Sequence, residues 1–371
     1  MLRIKLGNTW VDENSSTYFI ADISANHDGD LDRAKILIRL AAKAGANAAK
    51  FQNFQAPEIV SEYGFSTMRE QLSHQTKWKK SVYQIYKDAT LPREWTAELK
   101  AECDNACIDY FSTPYDLETV DFLDQYVPYF KIGSGDITWP ELIIKIANKG
   151  KPVLLATGAS NICDVRRAVK IIRSINSKLI LMQCNTNYTG NSDNFRYINL
   201  NVLKLYKTMF EDVVLGLSDH TSGHATVLGA VALGARVVEK HFSDDTSREG
   251  PDHPFSMTPE TWRKMVDRTR ELEFALGSID KDIEDNERQT VILQRRCLRA
   301  SKELKAGTII TRDLISVLRP APRDAIFPYD LDKIIGMVLR KDLQKGEHLR
   351  WDMLDGQQQT QLLKSYENHI F

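Results

Sequence analysis

Eight short β-rich runs, each followed by a segment of helical periodicity, fill residues 18–277. The runs are Tyr18–Ser24, Ala48–Phe54, Asp109–Pro114, Pro128–Ser134, Pro152–Gly158, Leu179–Asn185, Val213–His220 and Arg236–Ser243. Strands that alternate with helices build a parallel sheet, because each helix carries the chain back to start the next strand in the same direction. Eight such units suffice to close the sheet on itself, so the expected fold is α/β, a (β/α)8 TIM barrel. The first helix reads Leu31–Gly45, with Leu31, Ala34, Leu37, Ile38 and Ala41 on one stripe. The last reads Pro259–Gly277, with Trp262, Val266, Thr269 and Leu276 on one stripe. A doubly wound open sheet is the competing fold. It would carry a glycine-rich phosphate turn after its first strand, and Ser24–Asp30 is not one.

After Gly277 comes a charged stretch, Lys281–Arg288, and then a new β-rich pattern with turns at Lys305–Gly307 and Gln344–Glu347. The expected domains are a barrel over 1–285, a linker over 286–295 and a small β-rich domain over 296–355. A Gln-rich tail over 356–371 is expected to be disordered. The N-terminal Met1–Lys5 alternates like a strand. A long insertion, Gln55–Leu91, holds Tyr63, Trp78, Tyr83 and Tyr86. Inserts after barrel strands shape the substrate mouth, though packing among the aromatics accounts for the composition equally well.

Composition narrows the function classes. With 49 basic and 50 acidic residues the formal charge is −1, so no electrostatic footprint for nucleic acid exists. No apolar run reaches the roughly 20 residues that span a bilayer, and the N-terminus lacks a signal peptide's apolar segment. Cys103, Cys107, Cys163, Cys184 and Cys297 are odd in number and scattered, which reads as reduced thiols of a cytoplasmic protein.

Barrel chemistry sits at the C-terminal ends of strands, and alternation decides which side chains face inward. Asp22 and Ser24, Lys50 and Gln52, Phe111 and Thr113, Lys131 and Gly133, Ser218 and His220, and Glu239 and His241 each share a parity. Most are polar or small where a purely structural barrel would place Val, Ile and Leu, so a polar ligand is expected at the mouth. His220 and His241 end consecutive strands, which lie about 4.8 Å apart. Two imidazoles so placed suit one divalent ion and leave positions for water and substrate; the bland alternative is a hydrogen-bonded core histidine. Lys50 and Lys131 point inward and need an anion. With Thr113, Ser134 and the turns Gly133–Gly135 and Thr157–Ser160 they form a candidate phosphate or carboxylate cradle. The rival use of such a lysine is a Schiff base. Asp22, Asp136 and Asp252 are the candidate carboxylates, with Asp252 equally readable as a turn cap.

The segments Ile20–Gly29, Tyr129–Asp136, Gly216–Thr221, Glu239–Phe242 and Gly250–His253 resemble the bacterial N-acetylneuraminate (sialic acid) synthase family, which includes legionaminic and pseudaminic acid synthases. The resemblance runs from about Tyr18 to Asp355. It implies a barrel followed by an antifreeze-like (SAF) domain, in a domain-swapped homodimer. It implies condensation of phosphoenolpyruvate with an N-acyl sugar aldehyde. It makes His220 and His241 ligands of a divalent metal, Mn2+ with Mg2+ or Co2+ as alternatives. It puts phosphoenolpyruvate on Lys50, Thr113, Lys131, Ser134 and Ser218, and the sugar on Gln52, Tyr188, Asp252 and Arg319. Arg319, in Leu318-Arg319-Pro320, would serve a partner's barrel. Asp22 or Asp136 would handle protons, and the choice stays open. Three positions depart from the family pattern: Asp22 stands where the family has Glu, Ala156 where it has Ser, and Thr186-Asn187-Tyr188 where it has Asn-x-Tyr, with Asn185 and Asn187 as possible substitutes. Two other functions compete. A synthase for phosphorylated aldoses would need a second basic cluster, of which only Arg248 is present; a non-catalytic carbohydrate-binding barrel would not need both histidines and both lysines.

Overall fold

The computed structural model describes residues 2–68 and 78–355; the tail expected over 356–371 lies outside them. The chain divides into two compact units between Gly277 and Ser278. The first opens with an antiparallel hairpin, β1 (Ile4–Leu6) and β2 (Thr9–Val11). Eight parallel strands follow: β3 (Tyr18–Asp22), β4 (Ala48–Asn53), β5 (Asp109–Pro114), β6 (Phe130–Ile132), β7 (Val153–Ala156), β8 (Leu179–Cys184), β9 (Val214–Asp219) and β10 (Val237–His241). Each lies inside one of the eight runs read from the sequence.

The hydrogen-bonded order is β5-β4-β3-β10-β9-β8-β7-β6. The two end strands, β5 and β6, lie side by side without a ladder joining them. Side chains close that seam: the Phe111 and Tyr129 rings pack with centroids 4.6 Å apart. The result is a nearly closed (β/α)8 barrel. Its lower end carries a buried polar knot, in which Tyr18 donates to Asp109 and its hydroxyl lies 2.9 Å from that of Tyr129. The hairpin turn crosses this knot at Gly7, whose φ is +52°. A Cβ there would stand 2.0 Å from Asp109 Oδ1, so only glycine permits the approach.

The outer helices form where the periodic stripes place them. Leu31–Lys43 starts at Asp30, whose side chain accepts from the Arg33 amide at 3.1 Å, and buries Ala34, Leu37, Ile38 and Ala41. Truncating Ile38 to alanine would cost about 2–5 kcal/mol. Pro259–Leu276 starts with a Thr258 cap and proline in its first turn, and buries Trp262, Met265, Val266 and Thr269. Leu276, assigned to that stripe from the sequence, is exposed instead. It sits in the last turn, past the end of the buried face.

The second unit pairs β11 (Cys297–Ala300) with β12 (Ile315–Leu318), and β13 (Val338–Leu339) with β14 (Leu354–Asp355), both antiparallel. Leu298, Ile310, Ile326, Ile334, Leu349 and Met353 give it a core of its own. The segment expected as a linker over 286–295 contains a helix, Arg288–Gln294. All five cysteines are free thiols. No helix among the described residues is long and apolar enough to cross a membrane.

Candidate active site

At the C-terminal mouth of the barrel the inward side chains converge on one cavity of about 420 Å³, within the roughly 300–1,000 Å³ of small-molecule sites. Asp22, Lys50, Gln52, Thr113, Lys131, Ser134, Asp136, Tyr188, Ser218, His220, His241 and Asp252 all line it. The alternation of β3, β4, β9 and β10 does this: Ala21, Phe51, Asp219 and Lys240, one residue out of phase, do not line it. Arg319 is exposed just past β12 in the second unit.

The floor is an ion-pair network. Lys50 Nζ stands 2.5 Å from Asp22 Oδ2 and 3.5 Å from Glu239 Oε1. Lys131 Nζ stands 2.6 Å from the same Glu239 oxygen and 3.5 Å from Ser218 Oγ. Burial works to lower the Lys50 pKa, but Asp22 and then Glu239 outweigh it, and the ammonium is held. Burial works to raise Glu239, but Lys131 and Lys50 bring it down to about 2. The two buried cations therefore meet two carboxylates of the protein itself. Glu239 Oε2 and Asp22 Oδ1 remain buried without hydrogen-bond partners, as does Thr113 Oγ1, which marks the floor as built for further polar contacts. Beside it, Ser134 Oγ accepts from the Gly158 amide at 2.9 Å. A Cβ on Gly158 would come within 2.9 Å of that oxygen and 2.5 Å of Thr186 Cγ2, so glycine is required where the two turns meet.

The histidine pair stands at one wall, ring centroids 5.3 Å apart. His220 Nδ1 is 2.8 Å from the Asn185 carbonyl. A carbonyl only accepts, so Nδ1 carries the proton and Nε2 keeps its lone pair. Burial, then the neighbouring His241, lowers the His220 pKa to about 3, which keeps the ring neutral. His241 Nε2 is 3.6 Å from Asp22 Oδ2. Its Nδ1 lies 3.8 Å from Asp252 Oδ2, too far for a hydrogen bond, and is buried without a partner. Two neutral-capable imidazoles and the unpartnered Asp22 Oδ1 fit a divalent ion. Among the described residues no three His, Cys, Asp or Glu enclose such an ion unaided, so water or substrate would complete its shell. Tyr188 packs edge-on against His220 at 4.4 Å. Above, Asp252 accepts from Ser24 Oγ at 2.6 Å and the Ala25 amide at 3.3 Å, so it ties two mouth loops together.

Asp136 follows the β6 turn. Its residue surface is half-buried, but Oδ2 is fully buried and unbonded. Burial raises its pKa to about 6.

Some lining residues carry no assigned role in the sequence pattern. Glu239 shares the inward parity of His241, and two inward lysines on other strands called for a carboxylate at that level; the signal was present. Trp78 and Tyr86 from the insertion, with Phe54, Ile59 and Tyr115, form an apolar wall, whereas Tyr63 is exposed. The departures from the family pattern also resolve. Asp22 reaches Lys50 despite its shorter side chain, and Ala156 lines the cavity. Asn185 and Asn187 do not line the cavity: the Asn185 amide donates to the Tyr197 carbonyl and Asn187 Oδ1 accepts from Thr189.

Residues 37–281 match the NeuB family and residues 295–355 the SAF domain. An uncharacterized protein of Methanocaldococcus jannaschii is 36% identical over 358 residues, 96% of this chain and all of that one. The N,N'-diacetyllegionaminic acid synthase of Campylobacter jejuni is 33% identical, across 90% of this chain and 99% of that one. The crystal structure of the N-acetylneuraminic acid (sialic acid) synthetase of Leptospira borgpetersenii in complex with citrate superposes with a TM-score of 0.69 at 29% identity, covering 78% of this chain and 95% of that one. With a family match that runs from within the barrel's first helix to beyond its last and takes in more than half of the chain, the chain belongs to the NeuB family.

Proposed function

We propose that this protein is a sialic-acid-type synthase that condenses phosphoenolpyruvate with an N-acyl sugar aldehyde and releases phosphate. The observation that carries the reading is the pair of buried lysines sharing Glu239 on the cavity floor, beside the Ser134–Gly158 turn contact. Lys50 and Lys131 bind the phosphate and carboxylate of phosphoenolpyruvate and fix its approach. Carbon 3 attacks the aldehyde carbon, water adds at carbon 2, and phosphate leaves. Asp252, Gln52 and Tyr188 orient the sugar. A divalent ion held by His220 and His241 would supply a Lewis acid at the aldehyde oxygen. The test is phosphate release from phosphoenolpyruvate with N-acetylmannosamine and with 2,4-diacetamido-trideoxyhexoses; no release with any of them overturns the reading.

Asp136 takes the proton of the adding water. Its pKa of about 6 leaves it largely ionised at neutral pH yet close enough to accept efficiently. Activity is expected to rise with pH through about 6, and Asp136→Asn to remove that limb along with most of the turnover. Stability supplies a separate sign. A carboxyl whose folded pKa lies above its unfolded value is destabilising once ionised. Asp136→Asn should therefore raise Tm above pH 6 and leave it unchanged below pH 4. A limb that survives the substitution assigns the base elsewhere.

From the family resemblance we infer that Arg319 serves the barrel of a second copy. Lys131→Ala and Arg319→Ala, each strongly impaired alone, should recover about a quarter of wild-type activity after subunit exchange, since half of randomly assorted dimers are mixed and each has one intact site. A mixture as inactive as its parents after proven exchange rejects the inference.

A further inference from the structure

A second buried ion pair lies directly behind the histidines. Asp219 and Lys240 are register partners across β9 and β10. Their carboxylate and ammonium meet at 2.5 Å, with side chains 0% and 1% exposed. Strand alternation turns them away from the cavity, which they do not line, while the residues that follow them, His220 just past β9 and His241 at the end of β10, line it. Buried pairs of this kind are seldom more stable than apolar side chains of similar volume, so stability alone does not explain two charges at this depth.

The hydrogen bonds show what the pair holds. Asp219 Oδ2 accepts from Thr226 Oγ1 at 2.6 Å and Thr221 Oγ1 at 2.9 Å, and Oδ1 accepts from the Thr221 amide at 3.1 Å. Lys240 Nζ donates a second bond to the Thr221 carbonyl at 2.6 Å. Thr221 is thereby fixed at its amide, carbonyl and hydroxyl. His220 lies between Asp219 and Thr221, both anchored to Lys240, and Lys240 is covalently joined to His241. The network is thus a short, fully hydrogen-bonded link from one histidine backbone to the other.

We propose that Asp219 and Lys240 are positioning residues that set the separation of His220 and His241, and with it the affinity of the pair for a divalent cation. The proposal rests on the metal reading of the two histidines. Residues that orient a ligand without touching the ion commonly tune affinity about 10–100-fold, and a pair of opposite charges can be removed together without altering the net charge beside the site.

The experiment titrates Mn2+ calorimetrically into the full chain stripped of metal, and records the visible spectrum with Co2+. Asp219→Leu combined with Lys240→Met is expected to keep a cooperative thermal transition, weaken Mn2+ binding about 10–100-fold and alter the Co2+ spectrum. Thr226→Val, which removes one bond to Asp219 and no charge, should weaken Mn2+ binding several-fold. Wild-type Mn2+ affinity in the folded double variant overturns the proposal. If the double variant does not fold, wild-type affinity in Thr226→Val overturns it. His220→Ala separates the two readings: wild-type Mn2+ binding in that variant removes the metal reading and this inference with it, whereas lost binding there beside unchanged binding in the others removes the inference alone.

Discussion

Lys131→Ala is expected to lower kcat/KM for phosphoenolpyruvate by about a hundredfold. One charge-assisted contact to phosphate or carboxylate is worth about 1.5–3 kcal/mol, which is on the order of ten- to a hundredfold. The upper end applies here because Lys131 also carries the 2.6 Å contact to Glu239. Without it, Glu239 keeps Lys50, at 3.5 Å, and the Ser218 hydroxyl, at 3.4 Å, and its less well neutralised charge repels the incoming anion. Lys50→Ala should act in the same direction through Asp22. The two losses should not add in the double variant, since both lysines share one Glu239 oxygen. Unchanged KM and turnover in Lys131→Ala would remove phosphoenolpyruvate from the floor. A covalent adduct on either lysine after borohydride treatment with substrate would replace the anion cradle by Schiff-base chemistry.

The second large effect concerns the histidines. Exhaustive chelation should abolish activity, and Mn2+, Co2+ or Mg2+ should restore it. His220→Ala and His241→Ala should each reduce turnover about 10³-fold or more, the scale of several kcal/mol of Lewis-acid stabilisation. The reasons are geometric. Asn185 fixes the His220 tautomer, burial keeps that ring neutral, and His241 Nδ1 is a buried nitrogen without a partner. Full activity in a chelated enzyme shown by elemental analysis to be metal-free would eliminate the assignment.

Much of this site was legible in the sequence, for a physical reason. Strand alternation is local and strict, so once Tyr18–Ser24, Ala48–Phe54, Val213–His220 and Arg236–Ser243 read as strands, the inward positions of Asp22, Lys50, His220 and His241 followed. Helix stripes were equally local, apart from Leu276, where a stripe continued past the core it packs against. Features set by contacts between distant segments were not legible. Glu239 read as inward from its parity with His241, but the meeting of Lys50 and Lys131 on one of its oxygens is set by strands distant in sequence. The apolar wall depends on where Ile59, Trp78 and Tyr86 come to lie, which the insertion's own periodicity does not encode. Asn185 and Asn187 looked like candidates from the family's Asn-x-Tyr pattern, yet their side chains bond within the loop itself.

The seam between β5 and β6 has a dynamic consequence. Edge amides that lack a ladder partner are protected from solvent only by the side chains above them, and such places open first. Deuterium should therefore enter the facing backbone of β5 and β6 sooner than the paired strands on the opposite side of the barrel. Thr113 closes one flank of that seam and Lys131 the other. An anion gripping both would staple the seam shut across side chains, so the opening of the seam and the filling of the barrel's mouth become one linked equilibrium.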